Sequence, residues 1–356
     1  MVIITNKTII EMKKLIFISL SALLMFASCK NEDNIFPDYT YSTVYFPYQS
    51  PVRTIILGTD YVYDNSADTL HQCIIYATMG GVYSNKANRT LDIVVDNSLC
   101  NKLTYETSSG ATVLPMPSSY YTLASSQIVI PSGSQMGGVK VQLTDAFFAD
   151  PLAIKNTYVI PLRITKVANA DSILSGVSIV ANPNRFILAN WATVPKDYIL
   201  FAVKYKNRWD ATYLRRGIEV GKGNGGVTAI DTTIVYHQKN VESDQAVLSA
   251  TSQSMTQLLI SLNGKNKGNV NVPYSLLMTF DGSGNCNISN PASASYTITG
   301  SGKYVKNGDK WGGIKRDVLY LTYQVNFGTT THSMTDTLVM RDRVEKLETF
   351  NPYYNN

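Results

Sequence analysis

Residues 319 to 341 leave little choice of structure. Leu319, Leu321, Tyr323, Val325 and Phe327 fall on one side of a period of two, and Tyr320, Thr322, Gln324 and Asn326 on the other. That period belongs to an extended strand with one buried face. Gly328 to Thr331 supplies turn residues and Met334 to Arg341 returns, so the stretch reads as an antiparallel hairpin.

The same signal recurs upstream. Leu91, Ile93 and Val95 alternate, as do Val139 to Leu143, and Tyr158, Ile160, Leu162 and Ile164 share one face. Breakers stand between these runs at Gly80-Gly81, Pro115 to Pro117, Pro131 to Gly133 and Gly137-Gly138, at the spacing of an all-β sandwich. Asn97 to Leu103 and Thr144 to Asp150 read as single helical turns, capped by Asn97 or Ser98 and by Thr144 or Asp145. The first domain is expected over 41–188, and turn residues around Trp191 mark its end. A second set follows: Tyr198 to Tyr205, Val227 to His237, Gln257 to Leu262, Ser275 to Phe280, Ala294 to Val305 and the final hairpin. A meander of about eight such strands is expected to close into a barrel, which removes exposed edges. That domain is placed at 195–350, with Ser243 to Met255 the one stretch read as helical.

Ahead of the strands, Lys13 and Lys14 precede an apolar run from Leu15 to Phe26, then Ala27, Ser28 and Cys29. A run of about 12 residues is too short to span a bilayer as a helix, so 1–29 reads as a secretory signal. A buried apolar helix with a core cysteine is the other reading. No cap precedes Lys13, and Lys30 to Asn34 turns polar at once, which argues against it. Phe26 to Cys29 resembles the bacterial lipobox, whose cysteine is lipid-modified. Residues 30–40 are then a tether, and Lys30 to Asn34 resembles the signal that carries Bacteroidetes lipoproteins to the exterior of the outer membrane.

Composition excludes several functions. The formal net charge is only +5, and Lys and Arg are scattered singly, so no nucleic-acid partner is expected. Cys73, Cys100 and Cys286 follow the signal; a Cys73–Cys100 disulfide and three buried thiols are both open. Neither Cys-x-x-Cys nor His-x3-His occurs, so no metal and no cofactor is expected. Asp281 to Asn287 lacks the glycine and acid of a calcium loop and reads as a hairpin turn.

Ala77 to Tyr83, Leu114 to Tyr121, Ala146 to Pro151, Tyr158 to Ile164, Tyr213 to Gly217 and Asp336 to Arg343 carry a resemblance to two-domain surface lipoproteins of gut Bacteroidetes, products of polysaccharide-utilisation loci. It covers about Val44 to Phe350. The resemblance implies an all-β protein, an immunoglobulin-like β-sandwich followed by a lipocalin-like antiparallel β-barrel. The first domain is similar to one that precedes some family-18 glycoside hydrolases. No glycosidase domain follows here, so the catalytic part is not carried over. Expected partners are the outer membrane through the lipid, a polysaccharide or glycoprotein ligand, and outer-membrane importer components.

Sugar binding needs aromatic rings to stack on pyranose faces and polar side chains to meet hydroxyls. Lys206 to Asp210 has that composition, with Trp209 and Asp210 followed by Tyr213, Arg215 and Arg216; so does Asp309 to Gly313, where glycines follow Trp311. Either tryptophan could instead be packing, and the Arg215-Arg216 pair could bridge a carboxylate. Glu106, Asp150, Asp210 and Asp231 offer no spacing that singles out a hydrolytic pair, and His71, His237 and His332 lie near no nucleophile elbow, so no enzyme is expected. The expectation is a non-catalytic glycan-binding accessory; a structural or adhesive accessory is the alternative.

Overall fold

Where the sequence alternates, the chain is extended. The protein is described by a computed structural model over residues 36–224, 232–237, 247–265, 270–344 and 346–355. Residues 1–29, read above as a secretory signal ending on Cys29, lie outside the described residues. Tyr41–Asn356 cluster as one unit, built from a sandwich and a barrel.

In the sandwich, β1 (Thr43–Tyr45), β3 (Gln72–Gly80) and β6 (Met136–Leu143) form one sheet, widened by Ser172–Ile173 and Tyr121–Leu123. The other sheet runs β2 (Pro51–Ile56), β8 (Tyr198–Lys206), β7 (Tyr158–Ala168), β4 (Arg89–Val95) and β5 (Gln127–Ile130). Alternate residues point between the sheets: Ile75 and Ala77 from β3, Leu91 and Ile93 from β4, Val139 and Val141 from β6, Ile160 and Leu162 from β7. Each large apolar side chain buried there contributes roughly 1.5–3 kcal/mol. Both predicted helical turns form, as a 3-10 turn at Asn97–Cys100 and an α-turn at Asp145–Ala149. The first is capped by Asp96, whose carboxylate accepts from the Ser98 amide, one residue earlier than expected.

Strand β8 corrects the sequence reading, which made it the first strand of the second set. It is antiparallel to β7 and parallel to β2. Ile199, Phe201, Val203 and Tyr205 face the sandwich core, while Tyr198, Leu200 and Ala202 join a cluster with Val52, Leu103, Tyr105 and Phe350. A strand covered on both faces reads as a continuous apolar run, as Tyr198 to Val203 does before Lys204 and Lys206 reach its edge. The C-terminal segment returns to the same body: Glu348–Thr349 pairs with β2 and Pro352–Tyr354 with Leu103–Tyr105.

The barrel strands are β9 (Ala211–Gly223), β10 (Thr232–Tyr236), β11 (Val247–Ser252), β12 (Gln257–Lys265), β13 (Asn271–Phe280), β14 (Asn285–Ser289), β15 (Thr297–Trp311), β16 (Ile314–Asn326) and β17 (Thr330–Asp342). Each pairs with the next from β11 to β17; β9 pairs with both β11 and β17 and so closes the antiparallel barrel. The far half of β9 takes β10 as an extra strand. Of Ser243 to Met255, read as helical, residues 247–252 are a strand whose Leu248, Ala250 and Ser252 are buried; 243–246 lie outside the described residues. Leu319, Leu321, Tyr323 and Val325 point inward as predicted, against Leu258, Ile260, Leu276, Met278 and Met340. At the end nearer the sandwich, buried Arg343 donates to the Leu57 carbonyl at 2.9 Å and the Asn207 carbonyl at 2.7 Å. The Tyr61 hydroxyl there accepts from the Asp317 amide at 2.7 Å.

The three described cysteines are free and buried, and Cys73 and Cys100 lie in different apolar clusters, so no disulfide joins them. Burial pushes each thiol up to about 12. In residues 30–356, which lack Cys29, a thiol reagent at mildly alkaline pH should modify none of them until denaturant is added, and then all three together. Rapid labelling of the folded protein would contradict this packing.

Candidate functional site

The outward side chains of β9, β17, β16 and β15 form rows across the barrel wall, set by register. Leu214, Val339, Val318 and Val305 make one row, and the first three are buried although they point away from the barrel axis. A bulge in β15 between Val305 and Asp309 arches over them. Two bonds from the next row hold it there: Arg216 pairs with Asp309 at 2.5 Å, and the Tyr320 hydroxyl donates to the Gly308 carbonyl at 3.1 Å. Beyond the bulge, Gly312 and Gly313, at φ +57° and +80°, make the tight turn of a hairpin that only glycine-like residues tolerate at both positions. Trp311 is half-buried at the last strand position, paired with Ile314.

Past this arch the described residues leave the wall open and shaped into a groove of about 590 Å³. Its floor has two rows. Ile218, Thr335 and Thr322 lie in one, continued by Ser301, and Val220, Ser333, Gln324 and Thr299 lie in the other. The Gln324 amide donates to the Ser333 hydroxyl at 3.1 Å, and Tyr320 borders the groove at 40 % exposure. Among the described residues, none that lines the groove carries a charge.

The structure divides the residues singled out from sequence. Arg216 and Trp311 belong to the outer wall, and the Arg216–Asp309 bridge joins the two expected loops. The others are internal. Trp209 is 5 % exposed and stacks on Phe280 at 3.9 Å and 10°, so neither face of the indole is open to a sugar. Tyr213 is fully buried and donates to the Trp209 carbonyl at 2.7 Å. Asp210 accepts from the amide and hydroxyl of Ser252 at 2.6 and 2.9 Å. Arg215 forms a bidentate pair with Asp336 at 2.9 and 3.0 Å inside the barrel, the carboxylate-bridge reading.

That pair anchors a polar network the sequence did not reveal. Tyr323 donates to Asp336 at 2.8 Å and lies 3.2 Å from the Tyr274 hydroxyl. The Arg215 guanidinium stacks 3.7 Å over the Tyr236 ring, and Tyr236 bonds Glu219. Glu219 meets His332 Nδ1 at 2.7 Å, and His332 Nε2 lies 3.2 Å from the Thr330 hydroxyl. Gly217 makes room, since a Cβ there would sit 2.1 Å from the Asp336 carboxylate. These side chains occupy inward positions on the barrel strands. Among the described residues, no group of three or more His, Cys, Asp and Glu could hold a metal ion.

Burial pushes the Glu219 carboxyl up, but the hydrogen bonds of His332 and Tyr236 and the charges of His332 and Arg215 outweigh it, leaving its pKa below the ordinary 4.5. A carboxylate depressed in the folded state stabilises above its unfolded pKa, and that stability is lost as pH falls through the folded value. Between neutral pH and pH ~3 the urea midpoint should therefore drop, and drop less in Glu219→Gln. An equal drop in both would remove Glu219 from the acid response.

Comparison with known proteins follows the same division. Residues 39–171 match the profile of an N-terminal domain family, and residues 208–344 match DUF5627, a domain of unknown function. A solved structure from Bacteroides ovatus, of unknown function, is 38 % identical with a TM-score of 0.81, covering 88 % of this chain and 99 % of its own. An auxiliary nutrient binding protein from Bacteroides thetaiotaomicron is 11 % identical, covering 81 % and 90 %, with a TM-score of 0.35. A putative carbohydrate binding protein from Bacteroides ovatus is 14 % identical, covering 88 % and 100 %, with a TM-score of 0.29. These last two are too distant to carry an argument. No curated protein matches the chain.

Proposed function

The chain belongs to the family of the Bacteroides ovatus protein that it covers over 99 % of that protein's length, and on that footing we propose that it binds glycan or glycoprotein at the cell surface, as a non-catalytic accessory of a polysaccharide-utilisation system. It is held to the outer membrane through lipid on Cys29. The observation that carries this reading is the groove of about 590 Å³ on the barrel wall. Its hydroxyl and amide side chains can both donate to and accept from sugar hydroxyls. Ile218 and Val220 offer an apolar strip to pyranose C–H faces, Tyr320 borders it as a ring to stack on, and half-buried Trp311 lies farther along the same outer wall. Single contacts of this kind are weak, and tethering raises the effective concentration at the membrane.

Affinity gels cast with host and plant polysaccharides test this on residues 30–356. At least one polymer should retard the protein, and folded Tyr320→Ala and Trp311→Ala should migrate faster in it. No retardation by any polymer would sink the reading, and turnover of a polymer would replace it with a hydrolase. The anchor is tested separately: cells fed labelled palmitate should label the wild type and not Cys29→Ala.

One observation favours the alternative, an adhesive accessory with no sugar site. Ile74, Tyr76 and Met136 expose 39 %, 45 % and 45 % of their surface on the outer face of the first sheet. Capture of an importer component that Tyr76→Ser abolishes, with no glycan binding, would support it.

A further inference from the structure

We propose that the ligand of the barrel-wall groove is an extended, uncharged glycan chain that lies across the strands, and that anionic glycans are excluded from it. This rests on the glycan reading above. In one row, Thr335, Thr322 and Ser301 stand side by side on β17, β16 and β15; in the other, Ser333, Gln324 and Thr299 do the same. Neighbouring strands are about 4.8 Å apart, so a chain crossing them meets a donor-and-acceptor side chain at each step. On β9 both rows carry an apolar residue, Ile218 and Val220, and β10 continues them with Val235 and Thr233, which gives the crossing path a greasy stretch.

The charge argument is independent of direction. A carboxylate or sulfate leaving water needs a cation or several aimed N–H donors. Among the described residues, none of those lining the groove is basic. Arg216, one row away, is already paired with Asp309. Lys303, opposite Tyr320 in that same row, and Lys222, one row beyond Val220, are exposed, where solvent and salt screen their charges.

The test uses residues 30–356 in affinity gels containing neutral polymers (a β-glucan, a galactomannan, starch) or anionic ones (polygalacturonate, chondroitin sulfate). Neutral retardation is expected and should not change with added salt; anionic polymers should give none. Thr335→Ala and Ser301→Ala, at the two ends of one row's hydroxyl run, should each weaken neutral binding about threefold to tenfold, the effect of one lost hydrogen bond. Thr322→Lys should weaken neutral binding and gain salt-sensitive retardation by polygalacturonate. Retardation of the wild type by an anionic polymer, weakened in Thr322→Ala, would overturn the exclusion and leave the glycan reading standing. An effect from only one of Thr335→Ala and Ser301→Ala would overturn the crosswise path. Neutral retardation unchanged in every folded variant would place binding elsewhere and overturn the proposal, and no retardation by either class would sink both readings.

Discussion

Asp336→Ala should destabilise the protein by about 3–5 kcal/mol, the cost of breaking a buried ion pair from one side. Arg215 and Asp336 expose 0 % and 1 % of their side chains. Arginine cannot shed its proton, so the charge stays in the barrel, stacked on the Tyr236 ring, after its bidentate carboxylate has gone. The Tyr323 hydroxyl loses its acceptor in the same step. Against a total stability of about 5–15 kcal/mol, such a loss leaves a marginal fold. Arg215→Ala should cost about as much, since it strands the carboxylate. Arg215→Met with Asp336→Leu should recover most of the loss, because the desolvation penalty goes with the charges. Urea midpoints of the four proteins test this. If the double variant is as unstable as the singles, lost packing rather than an unpaired charge is responsible.

Trp209→Ala should cost about 3–5 kcal/mol, the range for a large aromatic deleted from a core. The indole is stacked on Phe280, has Tyr304 edge-on with centroids 6.3 Å apart, and lies two residues beyond Asn207, whose carbonyl receives Arg343. Trp209→Phe should cost much less: it keeps a ring on Phe280 and removes an indole N–H that is buried without a partner. Thermal unfolding of both variants checks the order. Near-wild-type stability of the alanine variant would mean that the ring packs loosely. Lost sugar binding in Trp209→Ala would thus say nothing about a binding face, which is why Tyr320 and Trp311 carry that test.

Period two was enough to read most of the fold, because each barrel strand shows water one face and the core the other, as Leu319 to Val325 do. It failed for assignment at Tyr198 to Lys206. A strand buried on both faces has no alternation to say which sheet owns it, and its partners Val52 and Val159 lie far away in sequence. It failed again for Val247–Ser252, where the helical leaning of the flanking residues was overridden by pairing with β9 and β12. For the site, a tryptophan in a polar loop looks the same in sequence whether the loop folds outward or under a barrel rim. Glu219, His332 and Asp336 were hidden for a related reason: each occupies an inward position of an otherwise ordinary strand, and only closure of β9 on β17 brings them together. The groove was equally invisible, since its floor is made of residues two apart on separate strands. The alternation around Thr322 and Gln324 marked them as outward and gave no sign that their neighbours would be Thr335 and Ser333.

Hydrogen exchange of residues 30–356, with and without a neutral polysaccharide that retards it, tests the central claim most directly. The account predicts added protection at residues 299–301, 322–324 and 333–335, with the barrel interior and the sandwich unchanged. Protection confined to the sandwich, or a bound polymer that leaves these three segments as they were, would contradict it.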